Sequence, residues 1–253
     1  MAMQIHGFNK TTLLDYPGLV AATIFTGACN FRCPFCHNAE LVLNPSSQPV
    51  ISEEEILTHL KKRQGITQGV CITGGEPTLQ KDLKEFVKKL KEIGLKVKLD
   101  SNGYKPEVLK DLVKDGLLDY VAMDVKAPLD EYEIIAGVKL DTSKIKESID
   151  FLISGKVPYE FRTTVIKDFH TQESFEKIAE LIKGADKYFL QGYVDSDKVI
   201  APGLTAYTYE EMQDFLPIFD GKVGHVEIRG VEEWHFNDLT REQGSTGILH
   251  LKY

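Results

Sequence analysis

The stretch "GVCITGGEPTLQKDLKEFVKKLKEIGLKVKLD", residues 69–100, decides the fold. Its two ends, 69–73 and 95–100, are both predicted to be short strands, and the first of them is an apolar run. Between them, apolar residues recur at the spacing of one helical face: Leu79, Leu83, Phe86, Val87, Leu90 and Ile93. Gly94 follows as the residue that ends the helix. Strand, helix and strand in this order predict a right-handed βαβ unit of a parallel sheet.

The same alternation extends along most of the chain. The predicted strands are 19–26, 69–73, 95–100, 118–126, 157–166, 186–193 and 225–229. The predicted helices are 52–63, 79–93, 106–116, 142–155, 171–184 and 208–219. This pattern predicts an α/β fold with a parallel sheet and outer helices, about one strand short of a closed eightfold barrel. Because no linker interrupts it, we expect one domain over residues 1–230 and a tail of undecided structure, 231–253.

The composition excludes several classes of protein. Of the 253 residues, 42% are hydrophobic, and the net charge is −8. The lysines of residues 81–98 alternate with acids, which predicts a solvated face and argues against a nucleic-acid groove. No apolar run approaches the roughly 20 residues of a membrane span. Since the N-terminus lacks the features of a signal peptide, we expect a cytoplasmic protein with reduced cysteines, in which Cys71 is a buried thiol.

Three of the four cysteines fall within "TGACNFRCPFCHN", residues 26–38. Cys29, Cys33 and Cys36 directly follow the first predicted strand, at the sheet edge where function collects in such folds. Thiolates select zinc, copper(I) or an iron–sulfur cluster. His37 could complete a zinc site but adjoins Cys36, which strains a shared chelate. A four-iron cluster on three thiolates would leave one iron open, and this chemistry favours the cluster while zinc remains an alternative.

Polar residues also follow the other predicted strands. Glycines and a carboxylate follow the second strand, short polar residues end the third, and charged residues end the fourth. The candidates are Gly74, Gly75, Glu76, Asp100, Ser101, Asn102, Asp124, Lys126, Arg162 and Gln191. Polar groups at successive strand ends predict a ligand lying across the barrel mouth, with a metal at one edge.

The motifs resemble a known family. CxxxCxφC, with Cys29, Cys33, Phe35 and Cys36, resembles the signature of the radical S-adenosylmethionine (SAM) enzymes, and "GGEP" at 74–77 resembles their methionine-binding motif. The wider context, with "DSNG" and "MDVKAPL", is similar to the glycyl-radical-enzyme activases. Within that branch the likeness is strongest to the activating proteins of anaerobic ribonucleoside-triphosphate reductase, over about residues 4 to 230.

The resemblance implies a fold and a set of ligand contacts. The fold is a partial (β/α)6 barrel, and the three cysteines hold a [4Fe–4S] cluster whose fourth iron binds SAM. Beside the adenosine lie Phe35, His37 and Asn38. Facing the methionine ammonium are Gly74, Gly75 and Glu76. The resemblance also implies that the cofactor is contacted by Asn102, Arg162 and Gln191.

Two further groups of residues follow from the same resemblance. Asp124 and Lys126 match the motif that contacts the cofactor and helps to place the target peptide, so they are the predicted catalytic residues. A monovalent-cation site is formed in related activases at the positions of Asp100, Ser101, Met123 and Asp124. Ser101 stands where threonine is commoner, which retains the hydroxyl.

The implied reaction is reductive cleavage of SAM to a 5′-deoxyadenosyl radical that abstracts hydrogen from a glycine of the partner enzyme. The implied partners are an anaerobic ribonucleotide reductase and an electron donor such as flavodoxin or ferredoxin. With only Cys71 left over, the chain has no cysteine-rich insert for further clusters. Two alternatives stay open: action on a pyruvate formate-lyase-like enzyme or a small molecule, and a non-catalytic zinc- or cluster-binding module.

Overall fold

The computed structural model describes residues 3–231, which form one sheet flanked by helices. The strands are β1 (Ile5–Thr12), β2 (Ala21–Thr26), β3 (Gly69–Gly74), β4 (Lys96–Ser101), β5 (Tyr120–Asp124), β6 (Tyr159–Val165), β7 (Lys187–Gly192) and β8 (His225–Arg229). They lie side by side in chain order. β1 is antiparallel to β2, and every later neighbour pair is parallel. Within residues 3–231, β1 and β8 do not pair with each other, so the barrel is open.

Helices connect the parallel strands. They are α1 (Ala39–Leu43), α2 (Glu53–Lys62), α3 (Leu83–Glu92), α4 (Pro106–Lys114), α5 (Tyr132–Ala136), α6 (Thr142–Ile153), α7 (Gln172–Leu181) and α8 (Tyr209–Gln213). Short 3-10 helices occupy Pro45–Ser47, Pro77–Leu79 and Leu216–Phe219. The seven predicted strands and five of the six predicted helices are confirmed with trimmed ends, and the sixth is confirmed in its first half. The sequence prediction missed β1 and the two short helices α1 and α5.

The helix boundaries have local causes. The side chains of Ser52, Thr171 and Thr208 accept a hydrogen bond from the backbone N–H three residues later, which satisfies a donor that the first helical turn leaves unpaired. The prediction of one helix over 208–219 is wrong in its second half, because Pro217 cannot donate the backbone hydrogen bond of an α-helix. That half forms a 3-10 turn instead.

The concave face of the sheet carries charge. Strand alternation places Lys98 and Asp100 on the face opposite Val97 and Leu99. Asp100 of β4 pairs directly with Arg162 of β6, past the strand between them, so this face is the interior of the barrel. The prediction that the lysines of residues 81–98 are solvated is wrong for Lys98, which is only 2% exposed. Its burial depends on strands that are distant in sequence.

Two sequence predictions concern the membrane and the tail. Among the described residues, no helix has the length and apolar character that a membrane crossing requires. Apart from its first residue, the tail 231–253 lies outside the described residues, so the division at residue 230 stays a prediction.

Candidate functional site

A cavity of about 250 Å³ lies at the carboxyl ends of the parallel strands. It brings together all the predicted metal-binding, cofactor-binding and catalytic residues: Cys29, Cys33, Phe35, Cys36, His37, Asn38, Gly74, Gly75, Glu76, Asp100, Ser101, Asn102, Asp124, Lys126, Arg162 and Gln191. Met123, which was predicted only for the monovalent-cation site, is fully buried and does not line the cavity. Four further lining residues were missed: Phe31, Val42, Thr73 and Thr164. Thr164 could have been found, because it follows Arg162 by two positions on β6 and so shares its face.

The cysteine loop leaves β2 through a strained residue. Ala28 has φ +66°, a left-handed conformation uncommon outside glycine, and two backbone hydrogen bonds hold it there. Its N–H donates to the carbonyl of Leu41 (2.8 Å), and its carbonyl accepts from the N–H of Glu76 (2.8 Å). Further along, the N–H of Cys36 donates to the carbonyl of Cys33 (3.0 Å), which closes a turn. Backbone hydrogen bonds therefore join the start of the loop to α1 and to the residues that follow β3.

The thiol of Cys33 is buried, and those of Cys29 and Cys36 are half-buried. Burial raises the pKa of Cys29 to about 12 and that of Cys33 to about 11, and it also raises the pKa of Cys36. The ammonium of Lys126 opposes this shift at each thiol. Metal ligands must be deprotonated, so binding of iron would release protons here.

The donor set suits an iron–sulfur cluster. Three soft sulfur donors on one loop line one cavity, and such clusters are held by cysteine thiolates. Among residues 3–231, no three His, Cys, Asp or Glu side chains surround a point suited to a single metal ion. Cys29 also contacts the β4 exit, since its Sγ lies 3.8 Å from the Nδ2 of Asn102.

The glycine pair lets the exits of β2 and β3 touch. Gly74 has φ +112°, and a Cβ there would lie 2.4 Å from the backbone nitrogen of Thr26. A Cβ on Gly75 would lie 2.0 Å from the carbonyl oxygen of Ala28. No side chain fits at either position without movement of the backbone, which explains why both residues are glycine. The amide of Asn38 donates to the Gly74 carbonyl (2.8 Å) and joins the end of the cysteine loop to the same place.

Glu76 binds β3 to the next strand. Its Oε1 accepts from the hydroxyl (2.5 Å) and N–H (3.0 Å) of Thr78 and from the hydroxyl of Ser101 (2.9 Å). Its Oε2 accepts from the N–H of Asn102 (2.7 Å). Burial raises the pKa of Glu76, and these hydrogen bonds oppose that rise. The structure thus gives Glu76 a positioning role, while its predicted contact with the methionine ammonium stays a prediction.

Charged residues of three strands meet on the other side of the cavity. The guanidinium of Arg162 donates to Asp100 Oδ2 (3.1 Å) and to Asp124 Oδ1 (3.0 Å). Lys126 Nζ lies 3.2 Å from Asp124 Oδ2. Burial alone would raise the pKa of Asp124, but the charges of Lys126 and Arg162 lower it to about 2. The carboxylate is therefore ionised at neutral pH and held between two cations.

Aromatic rings line the part of the cavity next to the cysteine loop. Lys126 Nζ lies 5.9 Å from the ring centre of Phe35, and the ring of His37 lies 5.8 Å from that of Tyr193. Burial lowers the pKa of His37 below its usual value, so the ring is neutral at pH 7. Flat apolar and neutral surfaces of this kind suit a nucleoside base.

A larger groove of about 840 Å³ lies elsewhere, between α4 and α6. Its lysines pair with its acids on the surface, as Lys110 does with Glu147 (2.6 Å) and Lys146 with Asp150. It contains no cysteine and none of the predicted ligands. Solvated ion pairs of this kind contribute little to stability and do not indicate a catalytic site. The smaller cavity is therefore the candidate site.

Comparison with known proteins identifies the family. The sequence model of the Radical SAM superfamily matches residues 23–182. The chain belongs to this superfamily. A protein of Methanocaldococcus jannaschii with the provisional name glycyl-radical enzyme activating enzyme is 36% identical over 202 residues, 78% of this chain and 82% of the relative. The chain therefore belongs to the glycyl-radical-activating branch.

One further relative and one solved structure agree with this family assignment. The pyruvate formate-lyase-activating enzyme of Clostridium pasteurianum is 29% identical over 192 residues, 71% of this chain and 76% of that enzyme. The crystal structure of Streptococcus suis SuiB bound to S-adenosylmethionine has the same fold, with a TM-score of 0.62 at 14% identity. The match covers 87% of this chain, which spans about half the length of SuiB (51%).

The family membership confirms the predicted fold class and the two main cofactors. Radical SAM enzymes use a [4Fe–4S] cluster and SAM, and the cavity presents donors that fit both. The roles predicted for individual residues stay predictions, although the structure brings those residues together.

Proposed function

We propose that the protein activates an anaerobic ribonucleoside-triphosphate reductase by generating a glycyl radical in it. The observation that supports this most strongly is the single cavity in which the three cysteines meet the glycine pair and the Asp124–Lys126 pair. When bound and reduced by an electron donor, the [4Fe–4S] cluster would supply the one electron that cleaves SAM to methionine and a 5′-deoxyadenosyl radical, and this radical would take a hydrogen atom from the partner's glycine. Flavodoxin or ferredoxin in the cytoplasm is the electron donor that we propose.

The proposed role of the chain's own residues is to bind the cluster and SAM and to orient them. Cys29, Cys33 and Cys36, which line the cavity together, would hold the cluster as thiolates. Phe35, with neutral His37 and with Asn38, would border the adenosine. Holding reactants in a fixed geometry supplies much of the acceleration in such chemistry, because the cofactors carry the bond-breaking step. No side chain is required as a general base.

The cysteine inventory supports a single-cluster activase. The sequence has four cysteines, and Cys71 is fully buried within β3. It lies 3.5 Å from Asp100 Oδ1 and 3.7 Å from Lys98 Nζ. A thiol held between charged groups inside the barrel has no iron-binding loop around it. We therefore propose one cluster per chain.

The substrate is a peptide, so the site needs a wide entrance. Within the described residues the sheet ends at β1 on one side and at β8 on the other. We propose that the partner's glycine loop enters through the opening that this incomplete barrel leaves. Asp124 and Lys126, at the exit of β5, would help to place the loop and the cofactor.

The choice of partner rests on the sequence resemblance, and the branch is supported by the Methanocaldococcus relative. A pyruvate formate-lyase-like partner is the second candidate, favoured by the Clostridium relative. Both partners would carry a glycyl radical after activation. They differ only in which enzyme acquires it.

The experiment mixes the anaerobically reconstituted, reduced protein and SAM with each candidate enzyme in turn. We expect a glycyl-radical doublet in the electron paramagnetic resonance spectrum with the ribonucleotide reductase. Cys36→Ala should abolish the doublet, whereas Cys71→Ala, which removes a thiol outside the predicted ligands, should retain it. A doublet only with the pyruvate formate-lyase-like enzyme would overturn the choice of partner. Cleavage of SAM without a doublet in either enzyme would overturn the activase itself.

A further inference from the structure

Lys98 is a lysine buried inside the barrel beneath the candidate site. It is 2% exposed, whereas Lys96, two positions earlier on β4, has a side chain that is 61% exposed. Removing an ammonium from water costs several kcal/mol unless a partner compensates. Neither the family signature nor the reaction described above uses this residue. Its burial therefore requires a specific explanation.

The partner of Lys98 is the carboxylate of Asp100. Its Nζ donates to Asp100 Oδ1, and its other polar neighbour is the thiol of Cys71 at 3.7 Å. Because Asp100 also lines the cavity, the ammonium acts on the site through this carboxylate. Lys98 itself does not line the cavity.

Lys98 is the first member of a continuous row of opposite charges. We name Lys98, Asp100, Arg162, Asp124 and Lys126 the buried ion chain. Asp100 Oδ2 accepts from Arg162 (3.1 Å), Arg162 also donates to Asp124 Oδ1 (3.0 Å), and Asp124 Oδ2 accepts from Lys126 (3.2 Å). All four carboxylate oxygens are thus bound by cations of the chain itself. The buried ion chain itself contains three cations and two carboxylates. A further carboxylate, that of Glu76, lines the same cavity.

We infer that Lys98 is a positioning residue which, through Asp100 and Arg162, fixes Asp124 and Lys126 for SAM, and which makes SAM binding independent of an added monovalent metal cation. The inference rests on the proposed use of this cavity for SAM. The ammonium supplies the charge that a bound metal cation would otherwise supply to Asp100.

The hydroxyl at the neighbouring position is also engaged. Ser101 Oγ donates to Glu76 Oε1 (2.9 Å) and accepts from the N–H of Gly103 (3.0 Å). Of the positions that resemble a monovalent-cation site, the two aspartates and Ser101 are therefore satisfied within the protein. A metal ion would have to displace Lys98 or Arg162 from Asp100, and both are held in a low-dielectric interior where such pairs are costly to break.

The test measures the Kd of SAM for the reconstituted [4Fe–4S] protein by equilibrium dialysis. The buffer contains KCl, NaCl or choline chloride at one ionic strength, so that general screening is equal. For the wild type we expect the same Kd in all three salts, within about twofold. This measurement needs no substitution, so it stands even if a variant fails to fold.

Lys98→Met removes the ammonium and keeps the length of the side chain. We expect its Kd in choline chloride to rise by about 10-fold or more, because Asp100 Oδ1 then lacks its cation and only Arg162 still holds the carboxylate. Potassium or sodium should restore much of the affinity by binding the freed oxygen, which a merely structural role for Lys98 would not produce. Lys96→Met is the matched control on the same strand, and its Kd should remain that of the wild type in every salt.

Two results would overturn the inference. A wild-type Kd that rises several-fold in choline chloride would show that the buried ion chain does not replace a metal cation. A folded Lys98→Met protein that binds SAM like the wild type in choline chloride would show that Lys98 positions nothing. Neither result depends on the partner enzyme, so a wrong choice of partner in the proposed function would be recognised separately.

Discussion

The contact between the exits of β2 and β3 makes a quantitative prediction for Gly74→Ala. Gly74 has φ +112°, and the new Cβ would lie 2.4 Å from the nitrogen and 2.5 Å from the oxygen of Thr26. A left-handed conformation costs a non-glycine residue about 1–2 kcal/mol. Overpacking against atoms that cannot move freely costs about 1–3 kcal/mol more. We therefore expect the free energy of unfolding to fall by about 2–5 kcal/mol.

Gly94→Ala separates the two contributions. Gly94 has φ +90°, and a Cβ there would meet nothing within 4 Å. Its substitution should cost only the conformational part, about 1–2 kcal/mol. The assay is urea denaturation of the apo proteins followed by circular dichroism, with the midpoint shifts compared at equal slope. Equal destabilisation by the two substitutions would refute the argument that close approach of the strands requires glycine at position 74.

The same substitution should affect the site. Thr26 lies three residues before Cys29, so displacement of Thr26 shifts the start of the cysteine loop. We expect reconstituted Gly74→Ala to bind less iron than the wild type, and Gly94→Ala to bind as much. Full iron content in Gly74→Ala would show that the cysteine loop tolerates the displacement of Thr26 without losing iron.

Three further predictions concern single side chains. Cys29→Ser should lose most of the iron, whereas Cys71→Ser should retain it, as measured by iron analysis; equal losses would contradict the ligand set. Tyr132→Phe should lower the melting temperature, because the fully buried hydroxyl accepts from the Lys126 N–H (3.2 Å) and donates to the Asp124 carbonyl (3.3 Å), and an unpaired buried group costs about 1–3 kcal/mol. An unchanged melting temperature would count against that bond. Since the pKa of Asp124 is lowered from 3.8 to about 2, its stabilising contribution is complete above the unfolded value and is lost as pH falls through about 2. Acid titration followed by circular dichroism should therefore show a smaller loss of stability in Asp124→Asn than in the wild type, and parallel losses would exclude this linkage.

Some of the parallel strands were predictable because they are apolar runs with buried centres, as in β3 and β5. β1 was not, since its middle, "GFNKT", is largely exposed or half-buried and carries no regular alternation. The helices α1 and α5 have five residues each, too few to show a helical period. Local pattern thus failed where a segment is mostly exposed or half-buried, as in β1, or very short, as in α1 and α5.

The residues of the candidate site were predictable from their positions at the ends of strands. The pairing of charges in the buried ion chain was not. Parallel strands end at one edge, so the polar residues after β3, β4 and β5 had to meet. Lys98 looked like one more solvated lysine, because "KVK" alternates in the manner of a half-exposed strand. The face of β4 that carries Lys98 is inside the barrel only because the sheet curves and brings Arg162, more than sixty positions later, against Asp100.

The central claim is that three cysteines hold a four-iron cluster with one iron left open for SAM. The most direct measurement is the electron paramagnetic resonance spectrum of the reduced, anaerobically purified protein before and after addition of SAM, together with iron and zinc analysis. We expect about four irons per chain, in keeping with one [4Fe–4S] cluster, and a spectrum that changes when SAM binds. One zinc per chain, or a cluster spectrum indifferent to SAM, would contradict the claim.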